Sequence, residues 1–450
     1  MFKKGNRSKA DNYRPISLTS SFCRIFESII FKKIFKHLQS NHLLTPNQFG
    51  FLPRRSACSQ LLTCLHQWLI SYSSNLTANV IYTDFSKAFD SVSHTKLLEV
   101  LISYGINETL VSWLSNFLHN RQQQVAIGEA LSSPLSIHSG VPQGSVIGPL
   151  LFTIYINDII DCSTSLQNTG NIMLFADDTK LYSTNTIHLQ STLDSLSKWT
   201  ESRQLKLAPH KCHTLQICKP SKRSPSQPFS INNTFLPSID VVKDLGIYIS
   251  SNLEWTEHTS FIYNQASLIS YQILKTFKTN KIHILHKLYI TYVRPKVEHD
   301  TPVWSPWLKK NIIMIESIQR SFTRRAFLRS GKSFSSYSDR LSQLNLKSLQ
   351  YRRIVFDLIL MYKIINDLSD LKFNDFFVFR SIPYTFRGNN KKIDTIHQIK
   401  NSHWTNSFFS RIISIWNSLP SDIASSCSLQ KFKSKLKQFD LTTCFNEIVT

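Results

Sequence analysis

Phe175-Ala176-Asp177-Asp178 lies between the apolar run Ile172-Met173-Leu174 and a second strand-like run, Lys180-Leu181-Tyr182. Two strands meeting at a turn there set two adjacent carboxylates at its tip. Adjacent aspartates repel, and a divalent cation is the natural compensation for an ionised pair. Hard oxygen ligands suit Mg²⁺, which takes few protein ligands and keeps other positions for water and phosphate. An Asp-Asp pair in a hairpin is also ordinary turn chemistry. A second acidic stretch upstream changes the balance: residues 79–83 read as a buried strand, so Asp84 falls at its end. Laid beside the 172–182 hairpin, that strand would bring Asp84 to face Asp177. Three such carboxylates form a cage for two-metal phosphoryl transfer, with ions about 3.5–4 Å apart clamping the attacking and leaving oxygens.

The chain around these residues is long enough to build such a site. Its 450 residues, 42% hydrophobic, suggest two to four structural units with sizeable cores. The formal charge of +23 calls for a polyanionic partner or a membrane surface. Between Val80 and Asn185 nine carboxylates stand against four cations, so this segment is net −5 and the remainder net +28. An acidic centre in a basic frame fits metal-dependent chemistry on a nucleic acid. Eight cysteines without a Cys-x-x-Cys pair support neither a disulfide framework nor a zinc knuckle, and point to a reducing compartment, nucleus or cytoplasm. The longest apolar stretch, near Val146 to Ile156, is too short to span a bilayer.

The strings TDFSKAFD (83–90), SGVPQGSVIGPLLFTIYIND (139–158) and FADD (175–178) follow in this order. They closely resemble the reverse transcriptase domain of non-LTR (LINE-like) retrotransposons. NYRPISLTS (12–20), QFGFLPRRS (48–56), LKLAPHKC (205–212) and DLGIYIS (244–250) extend the match. VRPKVEH, VWSPW and SFFSRIISIWNSLP resemble the C-terminal portion of the jockey and CR1 types. The resemblance implies an α+β, right-hand polymerase with an antiparallel palm sheet, followed by a mainly helical C-terminal region. It divides the chain into fingers (1–75), palm with interleaved fingers elements (76–215), a primer-grip hairpin (216–250), a helical thumb (251–330) and a basic helical region (331–450).

Site roles follow the same resemblance. Asp84, Asp177 and Asp178 would hold two Mg²⁺ ions, with Mn²⁺ as a possible substitute. Phe89, five residues after Asp84, falls where related enzymes carry an aromatic gate against a ribose 2′-OH. Asp90 reads as structural. Gly140-Val-Pro-Gln-Gly144 is a loop before a helix, and Gln143 and Gly144 are carried over as contacts of the template and nascent pair. Arg14 would lie near the template; Arg54 and Arg55 would meet the triphosphate, since guanidinium forks match phosphate oxygens. Lys211, with His210 as an alternative, would protonate the departing pyrophosphate. Gly246 belongs to the primer grip, and Arg320 and Arg324 share a helix face suited to duplex phosphates.

Apolar spacing marks several helices: Phe22, Phe26, Ile29 and Ile30 in one, Leu189, Leu193, Leu196 and Trp199 in another, and Ile262, Ala266, Ile269, Ile273 and Phe277 in a third. A further helix is expected to run up to a break at Arg294-Pro295. Basic and aromatic residues after 331, among them Trp404, Phe408, Phe409 and Trp416, are compatible with RNA stacking or with a core. The expected function is RNA-directed DNA polymerase, with RNA template, DNA primer or target and dNTPs as partners, and no membrane. The chain opens on a string that in the family lies just before the fingers motifs, so the N-terminal endonuclease is expected to be missing. The rival is an inactive remnant that only binds nucleic acid. An RNA-dependent RNA polymerase is disfavoured by Phe89.

Overall fold

The computed structural model describes all residues except 1, 3–4, 10–11, 14–15, 165–169, 224–227, 333–334, 381–390 and 446–450. The chain divides into two compact units. The first comprises Met1–Ser56, Ala78–Gln216 and Ser224–Ile239; the second comprises Ala57–Thr77, Ile217–Arg223 and Asp240–Thr450.

The first unit is built on a five-stranded sheet. Its strands are β1 (Ala78–Thr83), β2 (Asn171–Phe175), β3 (Asp178–Ser183), β4 (His213–Ile217) and β5 (Ser238–Ile239), in the order β5-β4-β1-β3-β2. β1 is buried along its whole length, which is why its sequence reads as a continuous run rather than an alternating one. β1 and β3 pair antiparallel from Asn79↔Ser183 to Thr83↔Thr179, and β2 and β3 form the expected hairpin, closing at Phe175↔Asp178. β4 and β5 run parallel, at the edge.

The helices of this unit include α1 (Ser21–Ser40), α3 (His94–Ser103), α4 (Glu108–Leu118), α5 (Gly148–Tyr155) and Thr186–Ser202, while α2 (Ala57–Ser73) belongs to the second unit. Those of the first unit pack one core with the sheet, including Ile34, Leu97, Leu114, Leu151 and Leu193. Leu189, Leu193 and Leu196 are fully buried, as their spacing predicts. α1 departs from expectation. Phe22, Phe26 and Ile29 are exposed, and the buried face is Glu27, Ile30, Ile34 and Leu38. Apolar residues lie on more than one side of this helix, so periodicity marks the helix and packing alone selects its inner face.

The second unit contains α2 (Ala57–Ser73). It also contains the hairpin Val241–Asp244/Ile247–Ser250 and long helices Thr256–Thr276, Lys309–Arg329 and Leu349–Ile365. Pro295 does not end a helix: a π-helical turn, Tyr289–Val293, precedes it, and the proline sits in the first turn of Arg294–Glu298, where a missing N–H costs least. Trp404, Phe408, Phe409 and Trp416 are all buried, so these aromatics are core and not a stacking surface. Among the described residues no helix is long and apolar enough to cross a membrane.

Candidate active site

Asp84 is the residue that follows β1. The register Thr83↔Thr179, continued by one step, sets it level with Asp178, the first residue of β3. Asp177 precedes it in a two-residue turn whose other member, Ala176, has φ +55°. One end of the sheet therefore carries all three candidate carboxylates. Asp84 and Asp177 are half-buried and Asp178 is exposed. Lys211 is brought there by the segment before it, because Ser86 N–H donates to Lys206 O (2.7 Å) and Ala208 N–H to Asp84 O (2.9 Å). Lys211 Nζ lies 3.0 Å from Asp84 Oδ1. Burial pushes the neighbouring Cys212 thiol up, so it stays neutral and adds no charge. Among the described residues, no three His, Cys, Asp or Glu side chains stand close enough together to hold a metal; Asp84 turns to Lys211.

The segment after Asp84 is stitched to the glycine loop. Val141 N–H donates to Phe89 O (2.8 Å), Gly140 N–H to Val92 O (2.8 Å), and His94 Nε2 contacts Gly140 O at 2.8 Å. Burial holds His94 below the usual imidazole range, which favours the neutral ring that donates this bond. Asp90 accepts from Gln143 Nε2 at 2.7 Å. Phe89 stacks on Phe152 of α5 (centroids 4.2 Å) and meets Phe51 edge-on. Gly144 has φ +106°, and a Cβ there would lie 2.8 Å from Ser17 O. Ser145 Oγ accepts from Gly148 N–H at the start of α5. Glu27, fully buried on α1, accepts from Val146 N–H (2.6 Å) and Ile147 N–H (3.1 Å). Its carboxylate thus meets free amides just ahead of a helix N-terminus.

The QFGF string forms a further edge of the sheet. Leu174 N–H donates to Asn47 O (2.9 Å) and Phe49 N–H to Leu174 O (2.8 Å), while Asn47 Nδ2 donates to Ile172 O (2.8 Å). Gln48 is buried beside the hairpin turn. Arg55 donates through Nη1 to the carbonyls of Thr45 (2.9 Å) and Gln48, and Arg54 has φ +66°. Gln48, Gly50 and Glu27 were not singled out from sequence. Only Gly50 and Gln48 lay within a recognised string, and nothing marked Glu27 apart from other helical glutamates.

The remaining candidates lie elsewhere. Gly246 has φ +93° and Leu245 φ +47°, so the hairpin turn of the second unit needs left-handed backbone at both positions. Arg320 packs over the Tyr337 ring (5.0 Å) and Arg329 donates to Phe277 O (2.8 Å), whereas Arg324 and Arg325 are exposed. Arg14 lies outside the described residues.

An aspartate at a strand end thus stands beside an Asp-Asp hairpin, with a glycine loop tied to the segment that follows. The model of the reverse transcriptase (RNA-dependent DNA polymerase) family matches residues 2–255, over half of the chain, and the chain belongs to that family. The described residues combine helices with a largely separate set of strands, an α+β fold. The chain is 27% identical over 323 residues to a probable RNA-directed DNA polymerase from the transposon X-element of Drosophila melanogaster, covering 70% of this chain and 35% of that protein. The jockey polymerase of Drosophila funebris is 25% identical over 328 residues, covering 70% and 35% respectively. The chain thus spans about a third of the length of these relatives. Among solved structures, Candida albicans telomerase in complex with a telomeric RNA fragment aligns with TM-score 0.43 and 9% identity, over 73% of this chain and 57% of that one.

Proposed function

We propose that the chain is an RNA-directed DNA polymerase of non-LTR retrotransposon type, extending a primer with dNTPs on an RNA template. The observation that carries this reading is the gathering of Asp84, Asp177 and Asp178 at one end of the sheet. This donor set is entirely carboxylate oxygen, which fits Mg²⁺, or Mn²⁺ in its place. Asp84 and Asp177 would hold two ions, with Asp178 completing the acidic cluster. When bound, the metals supply the positive charge that lowers the pKa of a primer 3′-OH and neutralises departing pyrophosphate. An ion pair as exposed as Asp84–Lys211 is worth under about 1 kcal/mol, so Asp84 would leave Lys211 at little cost to serve as a metal ligand. Released, Lys211 Nζ can pass its proton to the leaving pyrophosphate.

Other residues bind and exclude. Phe89, backed by Phe152, is held against the loop that carries Gln143 and Gly144, where its ring would meet a ribose 2′-OH. Arg54 and Arg55 are assigned to the triphosphate, Arg55 while its Nη1 holds the loop. In the second unit, Gly246 serves the primer grip, and Arg320 and Arg324 serve duplex phosphates. The rival is a remnant that only binds nucleic acid, a role the formal charge of +23 would also suit.

Primer extension on an RNA template with dNTPs and Mg²⁺, alongside Asp177→Asn, separates the two. Extension abolished by the substitution, with duplex binding retained, is the expected outcome. No extension, with RNA binding that weakens steeply with salt, supports the remnant.

A further inference from the structure

We propose that Gln48 is a positioning residue for the Asp177–Asp178 pair, acting through the backbone of Ala176. The inference rests on the polymerase reading above, because it assigns a purpose to the turn that bears those carboxylates. The turn itself is the starting point. With only two residues between Phe175 and Asp178, its first residue takes φ +55°. Such a place usually goes to glycine, because a Cβ there crowds the following carbonyl. Alanine needs outside support to stay there.

Gln48 supplies that support from a buried position, 1% exposed. Its Oε1 accepts from Ala176 N–H at 2.9 Å and from Gly50 N–H at 2.8 Å, and its Nε2 lies 3.5 Å from Ala176 O. The Gly50 bond fixes which way the side-chain amide faces, so its oxygen meets an N–H and its nitrogen a carbonyl of the same turn residue. Gly50 allows the approach: a Cβ there would stand 2.3 Å from Ala176 N. The loop carrying Gln48 is in turn bonded to the hairpin at Leu174, and Arg55 grips its far side. Gln48 bonds to the backbone of Ala176. It sets the backbone from which both carboxylates project, which is how an outer residue tunes a ligand pair.

The full chain with Gln48→Met, similar in length but without the amide, tests this. Gln48→Met combined with Ala176→Gly serves as the rescue, since glycine holds the left-handed backbone unaided. Three readouts are compared with the wild type: hydrogen exchange of the Ala176 amide, affinity for Mn²⁺ alone, and kcat and KM for dNTP in primer extension. Gln48→Met is expected to lose Ala176 protection, weaken Mn²⁺ binding about tenfold or more and lower kcat by a similar factor. Its dNTP KM and duplex affinity should stay within about threefold. The double variant should recover most of the Mn²⁺ affinity and kcat. Unchanged Mn²⁺ affinity in Gln48→Met overturns the proposal. So does a joint loss of melting temperature, duplex binding and kcat that Ala176→Gly does not restore, because that is a merely structural role. A wild-type chain that extends no primer sinks the polymerase reading alone, since exchange and Mn²⁺ binding still decide the role of Gln48.

Discussion

Acidification should destabilise the second unit through His66, by an amount that can be worked out. His66 lies on α2, 7% exposed, with its ring against Phe409 (4.7 Å) and Phe376 (4.8 Å) and near His397 and Trp404. Its Nε2 is buried without a hydrogen-bond partner. Burial first, and His397 second, lower its pKa from 6.5 to about 4. A depressed imidazole binds fewer protons folded than unfolded. Its stabilising effect is therefore complete above pH 6.5, falls as the pH drops from 6.5 to 4, and has gone below that. A shift of this size corresponds to about 3 kcal/mol at roughly 1.4 kcal/mol per pH unit. The substitution His66→Phe suits an aromatic cage, removes the titration and should change stability at pH 7.5 by under about 1.5 kcal/mol. The assay is guanidinium unfolding of wild type and His66→Phe between pH 7.5 and 4, followed by tryptophan fluorescence. The wild type should lose about 3 kcal/mol more than the variant over this range. His258, lowered to about 3 by burial, acts in the same direction but is common to both chains and cancels. Parallel pH profiles would refute the reasoning.

Two predictions concern the candidate site. Phe89→Val removes a ring stacked on Phe152 and should narrow the dNTP-over-rNTP preference by about 10–100-fold in competitive primer extension; an unchanged ratio removes Phe89 from the gate. Gly144→Ala forces a Cβ to within 2.8 Å of Ser17 O at φ +106°, so calorimetry should find a loss of about 1–3 kcal/mol. An unchanged melting temperature would mean that the loop shifts freely.

The parts of the fold that the sequence made legible are those with one dominant constraint. β1 is buried on both faces, so its apolar run has a single reading, and Leu189, Leu193 and Leu196 fall on one buried stripe. α1 shows where that logic ends. Phe22, Phe26 and Ile29 obey the same spacing as Ile30, Ile34 and Leu38, and only the neighbours of the helix decide which set is covered. The aromatics at 404–416 carried two readings for the same reason, and burial in a common core removes the stacking one. Pro295 misled in another way. Proline ends a helix only where its N–H was needed, and after a π-helical turn it opens a new segment at no such cost.

The candidate site divides along a similar line. Asp84, Asp177, Asp178, Phe89 and Gly144 stand in strings where residue type, spacing and order together are specific. Their supports are not legible that way, because Gln48 and Glu27 both act on backbone amides. Any residue but proline can supply an amide N–H, so a side chain that accepts from one leaves no complementary partner type in the sequence. What sequence does retain is the cost of close approach. Gly50 cannot carry a Cβ because Ala176 N would be 2.3 Å away, and Gly144 cannot because of Ser17 O. A glycine inside a string whose other members read as strand is therefore the trace of a second backbone passing close by. In QFGF that trace leads directly to the turn bearing Asp177, and the buried amide two residues before it is what holds the two backbones together.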